Sequence, residues 1–235
     1  MLIWTRSASN WITDQNLFSL PRPQILSFPC IEERSLPIDS SFSFQKGVIV
    51  FTSALAVRFF AENPLLFPIF SGSSILSVGK ETQRKLSEFG IPSVVPENCK
   101  SSQDLGDYIG DHISLDQPIL LPGAQTRSFP LDVFLEEKGY GVETLDLYET
   151  LILREGDVPS SQGVVCFASP SAVHGFFSRF RKGTYLFLTI GEATEKALRR
   201  YAQKGKVISE PSLSLLAKEA EACLKETYGI DIGSF

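Results

Sequence analysis

The sequence pairs none of its cysteines. Cys30, Cys99, Cys166 and Cys223 stand alone, without CxxC spacing, and read as reduced cytosolic thiols serving as small apolar core residues. Histidine is scarcer: His112 and His174 are too few and too far apart for a metal site or a Ser-His-Asp arrangement. GxGxxG and GxxxxGK[ST] are both missing, so no cofactor is implied. Positive charge is also short. Lys and Arg total 22 against 27 Asp and Glu, a net charge of -5, which argues against nucleic-acid binding through a basic surface. A polyanionic ligand must therefore be held by a local positive site, since the global field repels it. No apolar run approaches the roughly 20 residues that cross a bilayer. The N-terminal MLIWTRSASN lacks the pattern of a secretory signal, so no membrane association and a cytoplasmic location are expected.

What remains is an ordinary globular composition, 43% apolar and 21% charged over 235 residues, enough for one large or two small domains. The chain repeats itself. VIVFTSALAVRFF (Val48 to Phe60) returns as VVCFASPSAVHGFF (Val164 to Phe177), and ILSVGKETQRKLSEFG (Ile75 to Gly90) as FLTIGEATEKALRRYAQKG (Phe187 to Gly205). A short run containing Pro or Glu follows each, beginning at Val94 and Val207, then a Ser-led amphipathic stretch. More loosely, LIWTR (Leu2 to Arg6) matches ILLPGAQTR (Ile119 to Arg127). A period this long marks a duplicated structural unit.

The runs VIVF, ILSV, VVCF and LFLTI predict strands buried on both faces, the signature of a parallel sheet. Helices should begin after Ser53, and after Ser169 with Pro170 at the first helical position. The first should stop near Asn63, before Pro64. Gly90 and Gly205 sit where helices end in a left-handed residue. Leu213, Leu216, Ala217, Ala220 and Leu224 form one apolar stripe at helical spacing. Strands alternating with helices mean an α/β fold, and two copies mean two such domains. Ile25 to Ile38 and Gly141 to Leu153 instead alternate apolar and polar residues, as extended linkers do.

In order along nearly the whole chain stand TR at Thr5-Arg6, FTSALAV from Phe51, SVGKET from Ser77, and LLP before Arg127. LEEKGYGVETLDLYET from Leu135, FASPSAV from Phe167 and IGEAT from Ile190 complete the series. With these landmarks the chain resembles the uroporphyrinogen-III synthase family. The resemblance implies two parallel-sheet, flavodoxin-like α/β domains joined by a two-stranded antiparallel ladder, with the active site in the cleft between them. Residues 1–28 plus 151–235 would form one domain and 36–143 the other, with crossovers at 29–35 and 144–150. It implies a cofactor-independent lyase (hydro-lyase) of tetrapyrrole and haem biosynthesis. Such an enzyme closes hydroxymethylbilane to uroporphyrinogen III with loss of water and inversion of ring D through a spiro intermediate. A monomer is expected, with room for transient hand-over from hydroxymethylbilane synthase.

That substrate carries an acetate and a propionate on every pyrrole. Helix N-termini offer unpaired N–H groups and about half a positive charge each, and four recur, after Ser53, Gly79, Ser169 and Gly191. Thr82 and Thr194 in the first turns add hydroxyls. Each Ser is either a plain helix cap or a donor to substrate; each Gly permits close approach of a ligand or of a neighbouring strand. Thr5 and Arg6, with Arg127 in the second half, end equivalent apolar runs, and a guanidinium there suits carboxylate recognition; the alternative is an ordinary salt bridge. LLPGAQTR departs from the family's Pro-Arg-Gly wording, Ser7 stands where Pro is frequent, and Ala193 replaces a frequent hydroxyl. Tyr148 matches the tyrosine of the family's second crossover. A phenol is protonated at neutral pH, and the expected role is donation to the departing ring-A hydroxyl; the alternative is a strand aromatic that only packs. Two rivals predict no turnover: a two-lobed small-anion-binding protein, and a paralogue that keeps the fold alone.

Overall fold

A computed structural model describes residues 1–228 except 21–23, 98, 100, 128, 159 and 181. The chain divides into two compact units, unit 1 from Met1–Glu33 with Thr150–Phe235 and unit 2 from Arg34–Glu149. Each is an α/β layer structure around a sheet of five strands.

In unit 2, β4 (Val48–Phe51) lies between β5 (Ser74–Ser77) and β6 (Ile119–Ala124), parallel to both. Parallel to β6 runs β7 (Val142–Ile152), which neighbours β3 (Ile31–Ser35). A single parallel bridge at Val94 extends the sheet beyond β5. In unit 1, β8 (Gln162–Phe167) lies between β9 (Thr184–Thr189) and β1 (Leu2–Trp4). There β10 (Lys206–Val207) and β2 (Ile25–Ser27) form the outer strands, and among the described residues every pairing is parallel. Counting each repeated strand as first, and Val94 as the third in unit 2, both sheets run third, second, first, fourth, fifth. The unit 1 copy is permuted: its fourth and fifth strands come from the beginning of the chain. That explains the looser match between LIWTR and ILLPGAQTR.

The duplication reaches individual atoms. Gly47 directly precedes β4 and Gly163 is the second residue of β8, and a Cβ there would stand 2.3 Å from the Pro118 carbonyl and 2.2 Å from the Met1 carbonyl. Those same carbonyls accept from the next residues, Val48 and Val164, each at 2.9 Å. Phe51 meets Phe60 edge-on at 5.5 Å, and Phe167 meets Phe176 edge-on at 5.5 Å. Period-two alternation sends Ile49 and Phe51 into one core layer of unit 2 and Val48 and Val50 into the other. Val165 and Phe167, against Val164 and Cys166, do the same in unit 1.

The helices follow their sequence signals. Ser53 caps α2 (Ala54–Ala61), and Ser169 caps α6 (Pro170–Arg179) with Pro170 first. Before these comes α1 (Ala8–Asp14); between them lie α3 (Gly79–Glu88), α4 (Ser102–His112) and α5 (Leu131–Glu137). The chain then builds α7 (Glu192–Arg199) and α8 (Leu213–Tyr228). On α8, Leu216, Ala217, Ala220 and Leu224 are fully buried against unit 1's sheet. Gly90 takes the left-handed conformation expected of it, with φ 73. Gly205 does not. Ala202 turns the chain instead, with φ 55, while the Gly205 N–H donates to the Glu195 carboxylate at 3.1 Å. Local turn closure after α7 therefore overrides the glycine signal. No described helix is long and apolar enough to cross a membrane.

Candidate active site

In open α/β sheets the crevice for ligands lies beyond the carboxyl ends of strands, where the strand order reverses. The reversal falls between β4 and β6 in unit 2 and between β8 and β1 in unit 1. Each crevice therefore meets the start of one helix and the end of one neighbouring strand.

Unit 2 places the start of α2 and Arg127 there. The Ser53 hydroxyl accepts from the Ala56 N–H at 3.1 Å, which leaves its own proton free to donate. Arg127 donates to the Asp146 carboxylate at 2.8 Å and to the Leu121 carbonyl at 3.4 Å. Tyr148 pairs with Ala124 in register, and its carbonyl accepts from the Gln125 N–H at 2.8 Å. Its ring stacks on Phe59 at 5.1 Å and is 7% exposed. One face of the phenol is thus taken by packing within unit 2.

Unit 1 repeats the plan with α6 and Arg6. Ser169 accepts from the Ala172 N–H at 3.2 Å. Arg6 donates to Asp14 at 2.7 Å, and the second Asp14 oxygen accepts from the Trp4 indole at 2.9 Å. Burial pushes the Asp14 carboxyl above its ordinary value, while Arg6 and the indole pull it the other way. Thr5 is fully buried, and its hydroxyl donates to the Cys166 carbonyl at 2.6 Å, which ties the end of β1 to β8. Both arginines do form salt bridges, which fix their position but leave most of their donors for other acceptors.

The four helix mouths are not equal. Neither α2 nor α6 has an acidic residue in its first turn, whereas α3 has Glu81 and α7 has Glu192 and Glu195. An acidic side chain there already compensates the dipole and repels a carboxylate. The helix starts behind Ser53 and Ser169 therefore keep more of their positive end uncompensated. A Cβ at Gly79 or Gly191 would meet nothing within 4 Å, so neither glycine makes room for a neighbouring strand. Gly79 has φ 72, which favours glycine, whereas Gly191 is extended. Thr82 and Thr194 are buried, at 5% and 2% exposure, inside the first turns rather than at the mouths.

Two features escaped the sequence. Asp14 and Asp146 hold the arginines, and nothing in their spacing announces it. Ser77 and Thr189, each two residues before the mouth glycine, are fully buried with no hydrogen-bond partner for the hydroxyl among the described residues. An unpaired buried hydroxyl is destabilising, so Ser77→Ala and Thr189→Val should each raise stability by about 1 kcal/mol. Urea midpoints read this directly, and a fall would show the hydroxyls engaged in the folded protein. Among the described residues no cluster of His, Cys, Asp and Glu suits a metal ion.

Among curated proteins nothing matches the chain by sequence. The uroporphyrinogen-III synthetase of Helicobacter pylori 26695 has a similar solved structure, with TM-score 0.68 and 16% identity over 94% of this chain and 98% of that one. A mutant uroporphyrinogen III synthase from the extremely thermophilic bacterium Thermus thermophilus superposes with TM-score 0.62 and 16% identity, covering 96% of this chain and 99% of that one. These likenesses establish the fold. The family model described as uroporphyrinogen-III synthase HemD matches residues 24–215, and with most of its length so matched the chain belongs to the uroporphyrinogen-III synthase family.

Proposed function

We propose that this protein closes hydroxymethylbilane to uroporphyrinogen III, and that the crevice of each unit binds carboxylates of the substrate. The observation that carries this is the twin switch point: a serine-capped helix start free of first-turn acid, beside a strand-end arginine, once in each unit. A polycarboxylate needs several local positive seats on a protein of net charge -5. The Ser53 and Ser169 hydroxyls and the amides behind them supply hydrogen bonds to carboxylates. Arg6 and Arg127, held by Asp14 and Asp146, supply charge. Gly79, Gly191, Thr82 and Thr194 then serve mainly to shape the secondary mouths.

The crossing strands belong to the same proposal. The Leu36 N–H donates to the Leu147 carbonyl at 2.9 Å and the Leu153 N–H to the Cys30 carbonyl at 3.1 Å. One index rises as the other falls, which supports an antiparallel ladder formed by β3 and β7.

In the reaction, the Tyr148 hydroxyl donates a hydrogen bond to the departing ring-A hydroxyl, which leaves as water as the ring-A pyrrole N–H gives up the balancing proton. The azafulvene so formed is attacked by the substituted carbon of ring D, giving the spiro intermediate. Fragmentation and reclosure leave ring D inverted. Water is lost readily from such a hydroxymethylpyrrole, so the protein acts chiefly by holding the chain ends in register. No step calls for a cofactor, and a monomeric cytoplasmic enzyme suffices. Freshly generated hydroxymethylbilane incubated with the protein should give the type III isomer; type I alone, the spontaneous product, would leave only an anion-binding protein. Tyr148→Phe should lower kcat by roughly 10- to 100-fold with KM unchanged. An unchanged kcat would confine Tyr148 to packing in the core of unit 2.

A further inference from the structure

Arg179, the last residue of α6, is 5% exposed and forms no ion pair among the described residues. Its guanidinium is satisfied by carbonyls from three separate segments. Nε donates to Gly175 at 3.2 Å, Nη1 to Glu155 at 3.3 Å and Nη2 to Pro29 at 2.6 Å. Below it lies the Phe28 ring, 4.0 Å from Cζ to centroid, a favourable seat for a cation. The negative end of α6 offsets the charge further.

Those segments are particular ones. The chain leaves unit 1 after Glu33 and returns at Thr150, so Pro29 lies on the way out and Glu155 on the way back. A second observation, independent of charge, joins the same parts. A Cβ on Gly175 would stand 2.1 Å from the Cys30 carbonyl, so α6 touches the outgoing backbone directly. That carbonyl is the acceptor for the Leu153 N–H on the returning strand, at 3.1 Å. Ser178 adds a bond from its hydroxyl to the Leu153 carbonyl at 3.4 Å.

We infer that Arg179 and Gly175 form a clamp that fixes both crossing segments to α6 and thereby sets the aim of the Ser169 mouth, making Arg179 a positioning residue for the substrate's carboxylates. The last clause rests on the proposed function; the clamp itself does not. A buried fork that gathers three carbonyls has a single arrangement, unlike an ion pair on the surface. The crossing segments and the helix mouth therefore move as one piece.

Arg179→Lys and Gly175→Ala test it. Lysine keeps the charge, but its compact ammonium cannot span three carbonyls; alanine drives the outgoing backbone off the helix without touching charge. In both variants, hydrogen exchange at the Leu153 amide and iodoacetamide labelling of Cys30, mapped by peptide mass, should accelerate by about 10- to 100-fold. Exchange at the Leu36 amide, within unit 2, should not change. KM for hydroxymethylbilane should rise about 10-fold with kcat within about threefold. Unchanged Leu153 exchange and Cys30 labelling would overturn the clamp, as would equal acceleration at Leu36, which signals general unfolding. Loosened probes with an unaltered KM would overturn the positioning role. If the unmodified protein makes no type III isomer, the proposed function fails, while exchange and labelling still decide the clamp.

Discussion

Phe176→Ala lowers the stability of unit 1 by about 3–5 kcal/mol. The ring is fully buried and sits at the centre of an aromatic cluster. It meets Phe28, Phe167, Phe177, Phe180, Tyr185 and Phe187, with centroids between 5.3 and 6.3 Å. Edge-on geometry dominates these contacts, which adds to the area buried. Truncation leaves a cavity walled by stiff rings that cannot collapse into it, so the upper part of the range applies. The probe is already built in, because the two tryptophans, Trp4 and Trp11, both belong to unit 1. Urea unfolding followed by tryptophan fluorescence should show the midpoint falling by roughly 1–2 M. A shift of a few tenths would mean that the cluster repacks and that the duplicated Phe51–Phe60 and Phe167–Phe176 pairs are interchangeable filling.

Arg6→Ala produces the second large effect, and it separates two roles of one side chain. Asp14 is 5% exposed, and removing Arg6 leaves its carboxylate buried with only the Trp4 indole as donor. Breaking such a pair should cost about 2–4 kcal/mol near neutral pH. The sign with pH follows from the direction of the shift. Folding already raises the Asp14 pKa, and losing Arg6 raises it further, because the guanidinium was a lowering influence. The folded variant thus binds this proton more readily than the unfolded chain does. Stability is regained as pH falls through the folded value and lost as pH rises through it. The destabilisation should shrink as pH falls from neutral toward the ordinary carboxylate range. Adding Asp14→Asn removes the stranded charge and should restore most of the stability. It should not restore a KM raised by loss of Arg6, if the guanidinium also grips a substrate carboxylate. A double variant with normal KM would confine Arg6 to holding α1 in place.

The sequence made some of this legible because the responsible forces are local. Four-residue apolar runs declare strands covered on both faces, and a serine before a helix declares a cap, so the repeat, the strands and the Ser53 and Ser169 caps could be read directly. The left-handed residue after α7 could not. It depends on how the turn closes against Glu195, and Ala202 rather than Gly205 adopts it. Thr5 stands beside Arg6, yet its hydroxyl bonds the Cys166 carbonyl, 161 residues away along the chain, which no local signal announces. The partners of the arginines lie in α1 and β7, and only the folded chain brings them near. The same holds for Arg179, whose acceptors come from Pro29 and Glu155.

The permuted strand order has a consequence for a chain emerging from the ribosome. Unit 2 possesses all its residues once Glu149 is made, and can fold while synthesis continues. Strand β1, by contrast, finds β2 early but lacks its other neighbour until β8 appears. The opening stretch must therefore wait, half-paired and apolar, through the birth of the other unit. That interval is when this protein most needs shielding from its own copies.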